Sequence, residues 1–108
     1  MNAYIILFSA ITCEVIGTML LPASQSFTKI IPTTLLTLSY ILSFYLLTLI
    51  TEKIPLPILY ASWSGLGVCL IAVLSYIFYK QTLSWQAVIG LFLIIVGVSL
   101  VNIFKGEL

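Results

Sequence analysis

The feature that most restricts this sequence is Trp85 to Phe104, an apolar run with no charged side chain. At 1.5 Å per residue, a helix of about 20 residues matches a hydrocarbon layer of about 30 Å. Inside such a layer a backbone can satisfy its own polar groups only as a helix or a closed barrel. Two further runs, Thr33 to Ile50 and Ile58 to Tyr79, are likewise uncharged. Three such runs in 108 residues leave little chain for a water-soluble domain. Charged residues make up 6% of the sequence, against about 25% in ordinary soluble proteins, which is too few to cover a water-facing surface. The mean hydropathy of +1.27 agrees.

A fourth run, from about Tyr4 to Leu21, has one charge, Glu14, near its middle. Pro22 follows and disfavours helical geometry in the residue before it. The polar stretch Pro22 to Ile31 is expected to be a loop, with Pro32 in the first turn of the next helix. Thr51 to Pro57 holds a charge pair and two prolines and forms the second connection. Lys80 to Leu83 forms the third, after which Ser84 is placed to cap the last helix. Lys105 and Gly106 supply a cation and a stop at its end. The expected fold is therefore an all-α integral membrane protein, a single four-helix domain over 1–108 with spans at about 4–21, 33–50, 58–79 and 85–104. The first run is expected to belong to the mature protein and not to be a signal peptide, because it lacks a positive n-region and has a carboxyl group in its core.

An ionised carboxylate near the centre of a bilayer is penalised by at least about 2.5–3.5 kcal/mol, and such groups usually handle ions, protons or substrates. Glu14 is therefore the candidate working residue; the plain alternative is a neutral Glu14 that hydrogen-bonds between helices. At 3.6 residues per turn, Leu7, Ala10, Ile11, Gly17, Thr18 and Leu21 share its face. Ala10, Gly17 and Thr18 are small, which suits a helix-packing seam and a ligand pocket equally. Tyr40 lies mid-span, too deep for the interfacial belt, so its hydroxyl is expected to face protein or a cavity.

The third run contains Tyr60, Trp63, Ser64 and Gly67 at i, i+3, i+4 and i+7, which sets two aromatic rings beside small residues on one face. That face suits an aromatic-walled cation pocket. Gly65 and Gly67 weaken the helix and mark a bend or a close approach. Gly90 and Gly97, seven apart, keep one side of the last helix smooth for contact with another helix.

Other chemistries are excluded by what is missing. With no His and only Cys13 and Cys69, both inside apolar runs, neither a zinc cluster nor a His-based triad can be assembled, and no enzyme is expected. Four lysines spread singly offer no nucleic-acid footprint. In a four-span chain Lys53 and Lys105 fall on one side and Lys29 and Lys80 on the other. The positive-inside rule is thus balanced, and the chain can insert both ways unless its N-terminal amine or insertion kinetics decide. Oppositely inserted copies can pair, setting two Glu14 residues around one cavity as an inverted repeat built from separate chains.

Tyr4, Glu14-Val15-Ile16-Gly17-Thr18, Phe27-Thr28-Lys29, Tyr40, Ile54-Pro55, Tyr60-Ala61-Ser62-Trp63-Ser64-Gly65-Leu66-Gly67, Gly90 and Gly97 together resemble the small multidrug resistance transporters, over essentially the full chain. The resemblance implies an antiparallel, dual-topology dimer in the bacterial plasma membrane that exchanges protons for cationic compounds. Its partner is a second copy or a sister chain, and the proton gradient drives it with no cofactor. It implies that Glu14 binds both proton and substrate, that Tyr60 and Trp63 line the pocket, and that Tyr4, Ala10, Thr18 and Tyr40 complete the lining. Gly17-Thr18 and Tyr40 look more like the quaternary-ammonium and multidrug branch than the guanidinium-exporting one. A proton-conducting subunit using Glu14 alone is the rival from another class, and the deep aromatics argue against it. Where the family often has Lys and Glu-Gly, this chain has Pro22 and Gln25-Ser26, so its first loop differs in charge and turn geometry.

Overall fold

A computed structural model describes residues 2–104, and among them every regular element is helical. The long helices are α1 (Ala3–Met19), α3 (Ile30–Thr48), α4 (Leu56–Tyr79) and α5 (Trp85–Ile103), with a single turn, α2 (Leu21–Ser24), after the first. Helices α3, α4 and α5 are each long and apolar enough to cross a membrane. Helix α1, at 17 residues, is shorter, about 26 Å at 1.5 Å per residue, the lower end of what can cross.

Prolines explain where these boundaries differ from the sequence reading. Pro22 does not end helical geometry; it sits in the first turn of α2, where a missing N–H leaves nothing unsatisfied. The reversal comes afterwards, at Gln25, Ser26 and Phe27, whose φ angles of 48°, 61° and 66° lie in the left-handed region. Ser24 organises that turn. Its carbonyl accepts the N–H groups of Thr28 and Lys29 at 2.9 and 3.0 Å, while its hydroxyl donates to the Leu21 carbonyl at 2.7 Å and accepts from the Phe27 N–H at 3.3 Å. Helices α3 and α4 likewise begin at Ile30 and Leu56, ahead of Thr33 and Ile58, because Pro32 and Pro57 are accommodated in their first turns.

Asn2 caps α1 by accepting the Tyr4 N–H at 2.8 Å, and Ser84 caps α5 by accepting the Ala87 N–H at 3.2 Å. Lys80 closes α4 in the left-handed conformation, with φ of 55°. Lys105 and Gly106, expected to close α5, lie outside the described residues.

The chain forms two compact units, Met1–Ile50 and Thr51–Leu108. In the first, α1 packs on α3 and the α2 turn joins them. Helix α1 buries Leu7, Ala10, Ile11, Val15 and Gly17, and α3 buries Leu36, Ser43 and Leu47. The seam is closed by Ser43, fully buried, whose hydroxyl donates to the Ala10 carbonyl at 2.7 Å. This bond satisfies a polar side chain that lipid could not.

In the second unit α4 packs on α5. Gly65 permits the approach: a Cβ built on it would lie 2.7 Å from a Val98 methyl and 3.1 Å from one of Ile94. One turn away the Asn102 side-chain amide donates to the Ser62 hydroxyl at 2.7 Å and to the Val98 carbonyl at 2.9 Å. Ser62 in turn donates to Ile58 at 2.8 Å. Further along, the Cys69 thiol lies 3.8 Å from the Leu91 carbonyl. Ser62, Gly65 and Cys69 thus meet Asn102, Val98 and Leu91 in antiparallel order.

Candidate functional site

Helix α1 holds Glu14 half-buried near its middle, one turn before Thr18. The i, i+4 spacing stacks the two side chains on one face. The Thr18 hydroxyl donates to Glu14 Oε1 at 2.8 Å, and the same Thr18 oxygen lies 2.8 Å from the Tyr40 hydroxyl of α3. A threonine has one hydroxyl hydrogen. With that hydrogen committed to the carboxylate, Tyr40 must be the donor to Thr18. The result is a chain of two hydrogen bonds, Tyr40 to Thr18 to Glu14, linking the carboxylate to the neighbouring helix.

Gly17 allows this arrangement. A Cβ there would stand 3.0 and 3.1 Å from two carbons of the Tyr40 ring and 3.3 Å from the Leu36 carbonyl oxygen. The phenol can therefore come close to the α1 backbone at Gly17 while its hydroxyl reaches Thr18, because residue 17 has no side chain. Ala10, on the same face one turn before Glu14, is fully buried, and its place in this unit is the α1–α3 seam. Tyr4 is half-buried in the first turn of α1, ten positions from Glu14 and so about 15 Å along the axis.

The expected ring pair belongs to the second unit. Tyr60 and Trp63 are adjacent on α4, with centroids 5.6 Å apart and planes tilted by 54°. That is an edge-inclined pair of the favourable kind. Tyr60 is 62% exposed, Trp63 is half-buried, and Gly67 one turn on is buried. Gly90 and Gly97 differ from Gly65: a Cβ on either would meet nothing within 4 Å. Their stripe therefore faces open space, and no residue of α5 is buried. Among the described residues, no three His, Cys, Asp or Glu side chains gather as a metal site would require.

Two features escaped the sequence reading. Ser24 looked like one more polar loop residue, yet it is buried and holds the first turn together. Asn102, near the end of α5, is the second of them, an amide that the uncharged run does not single out. The signal was available, because the reasoning that singled out Glu14 applies to any strongly polar group inside a membrane run.

Membrane-length apolar helices, with a carboxylate tied into a hydrogen-bonded chain inside another apolar helix, define a helical membrane protein with a polar group held within one of its helices. The comparisons are more specific. Residues 2–94 match the Small Multidrug Resistance protein family. The multidrug transporter EmrE of Escherichia coli (strain K12) is 45% identical over 105 residues, covering 97% of this chain and 96% of that one. The quaternary ammonium compound-resistance protein QacG of Staphylococcus sp. (strain ST94) is 42% identical over 101 residues, 94% of each chain. The multidrug resistance protein EbrA of Bacillus atrophaeus is 42% identical over 99 residues, 92% of this chain and 94% of that one. The chain belongs to the small multidrug resistance family of membrane transport proteins.

Proposed function

We propose that the protein is a proton-coupled antiporter that expels lipophilic and quaternary ammonium cations across the bacterial plasma membrane, with Glu14 serving proton and substrate in turn. The observation that supports this most directly is the hydrogen-bonded chain Tyr40–Thr18–Glu14 inside apolar helices. An ionised carboxylate in that setting gains from any neutralising partner, and a proton and an organic cation are alternatives for one carboxyl group. Either occupant displaces the other, which is the exchange rule of an antiporter.

The chain of hydroxyls gives the two states different geometries. When Glu14 is ionised, hydrogen bonds point toward it. When it is protonated, its own O–H can donate to Thr18, whose hydrogen is then free to turn to Tyr40. Occupancy of the carboxyl group is thereby relayed to α3 through a reversal of hydrogen-bond direction. The names of the relatives favour quaternary ammonium compounds as cargo. Tyr40, Tyr60 and Trp63 would hold such ions by ring-face attraction of about 0.5–2 kcal/mol each, without a fixed hydrogen-bond pattern. Ammonium ions of different shapes are therefore accepted.

The working unit in this reading is an antiparallel homodimer of four-span chains. The even split of lysines between the two sides supports it, and so does the uncovered Gly90 and Gly97 stripe of α5. Two equivalent asymmetric states of such a dimer interconvert to give alternating access. The test is proton release from purified protein on addition of tetraphenylphosphonium, with a neutral analogue and a guanidinium salt as controls. Release by the phosphonium, absent in Glu14→Gln and retained in Glu14→Asp, is expected. Proton-driven export by Glu14→Gln at the parent's rate would overturn the assignment.

A further inference from the structure

The seam between α4 and α5 is tight where Ser62 meets Asn102 and Gly65 meets Val98, and it opens at the other end. There a cavity of about 530 Å³, within the usual range for ligand pockets, is lined by Ala72 and Tyr76 of α4, Val88, Leu91 and Phe92 of α5, and Leu83 between them. Its walls are almost wholly apolar. Gln81 and Thr82 stand at its mouth, and an adjoining cavity that shares Tyr76 and Thr82 reaches Lys80.

The charge around this mouth has one sign. Lys80 is exposed at the end of α4. Glu52, the one acidic side chain among the described residues of this unit, precedes the opposite end of a 24-residue helix, about 36 Å away along its axis. The N-terminal turn of α5 begins at Trp85, directly after the connection, and adds the partial positive charge of unpaired N–H groups. Tyr76 and Tyr79 precede Lys80 in the last turn of α4, as aromatic residues do at headgroup depth.

We infer that this groove is a lipid site: one acyl chain of an anionic phospholipid lies between α4 and α5, with its phosphate at Lys80 and the first turn of α5. An apolar groove open to a bilayer is filled by hydrocarbon, and the lysine at its mouth selects among headgroups by charge. The site is separate from Glu14. It rests on the membrane reading and not on proton coupling, so its failure would leave the transport assignment untouched.

Trp85 reports on it directly, being 69% exposed and one turn from Val88. In the full-length Trp63→Phe protein Trp85 is the only indole, and its fluorescence can be quenched by brominated lipid added to phosphatidylcholine vesicles. Brominated phosphatidylglycerol is expected to bind about fivefold more tightly than brominated phosphatidylcholine, as one lysine at a membrane surface provides. Lys80→Gln should erase the preference, Lys80→Arg should keep it, and Lys53→Gln, at the far end of α4, should leave it intact. Equal quenching by both lipids, or a preference that survives Lys80→Gln, overturns the site. So does quenching that fades as the protein-to-lipid ratio rises, since a second copy would then be the occupant.

Discussion

Replacing Thr18 by valine tests the site with least disturbance, because the side chain keeps its shape and loses only its hydroxyl. That hydroxyl donates to Glu14 Oε1 at 2.8 Å and links it to Tyr40. A hydrogen bond to a charged group contributes about 1.5–3 kcal/mol, and for a half-buried carboxylate the lower figure applies. The bond holds the carboxylate in place beside Tyr40, and without it the cation meets a carboxylate that is no longer positioned. A loss of about 1.4 kcal/mol corresponds to roughly tenfold weaker apparent binding. Thr18→Ser, which keeps the hydroxyl, should restore most of the affinity. The assay is equilibrium binding of tetraphenylphosphonium to purified protein across pH 6 to 9. Equal affinity for parent and Thr18→Val at every pH would refute the role given to this hydroxyl. A tenfold deficit that Thr18→Ser does not repair would mean that Thr18 only shapes the pocket.

Three further substitutions probe the scaffold, each read by reversible unfolding in mixed micelles. Gly17→Ala should destabilise despite the better helix propensity of alanine, because the new methyl meets the Tyr40 ring and the Leu36 carbonyl at 3.0–3.3 Å; overpacking of about 1–3 kcal/mol outweighs a propensity gain of about 1. An unchanged or raised stability would show that Tyr40 does not lie against α1. Ser26→Gly should stabilise by about 1 kcal/mol, since φ of 61° penalises any residue with a Cβ; a loss of stability would contradict the left-handed turn. Asn102→Leu should cost about 0.5–1.5 kcal/mol, the range measured for interhelical hydrogen bonds in lipid, and no change would remove the Ser62 contact from the α4–α5 seam.

The helical architecture and the carboxylate were legible in the sequence for one reason: lipid makes charge conspicuous. An uncharged run of membrane length has few folded alternatives, and Glu14 stands out because nothing else in its helix is ionised. Thr18 followed from i, i+4 geometry and Tyr40 from its depth. That these three form one hydrogen-bonded chain was not legible, because it depends on how far α3 is rotated toward α1, and Gly17 sets that only through contact. The first turn is not legible because Pro22 reads as a stop in sequence, whereas in the fold it stands in the first turn of α2, where a proline interrupts nothing.

The glycines show where sequence runs out altogether. Gly65, Gly90 and Gly97 all sit in uncharged helices and all permit a close neighbour. Only Gly65 has one in this chain, a Val98 methyl where its own Cβ would be; Gly90 and Gly97 look onto empty space. Spacing cannot separate these cases, because a smooth stripe is the same stripe whether the partner is the next helix or another molecule. Contact can, and it assigns the two kinds of glycine different consequences. A side chain at 65 must displace the Val98 and Ile94 methyls that pack α5 on α4, whereas a Cβ at 90 or 97 meets nothing within 4 Å. If the antiparallel dimer is the transporter, Gly97→Leu should leave the chain as stable as the parent in detergent while abolishing cross-linking between copies and cation export together. A Gly97→Leu protein that exports at the parent's rate would mean that copies do not meet along this stripe.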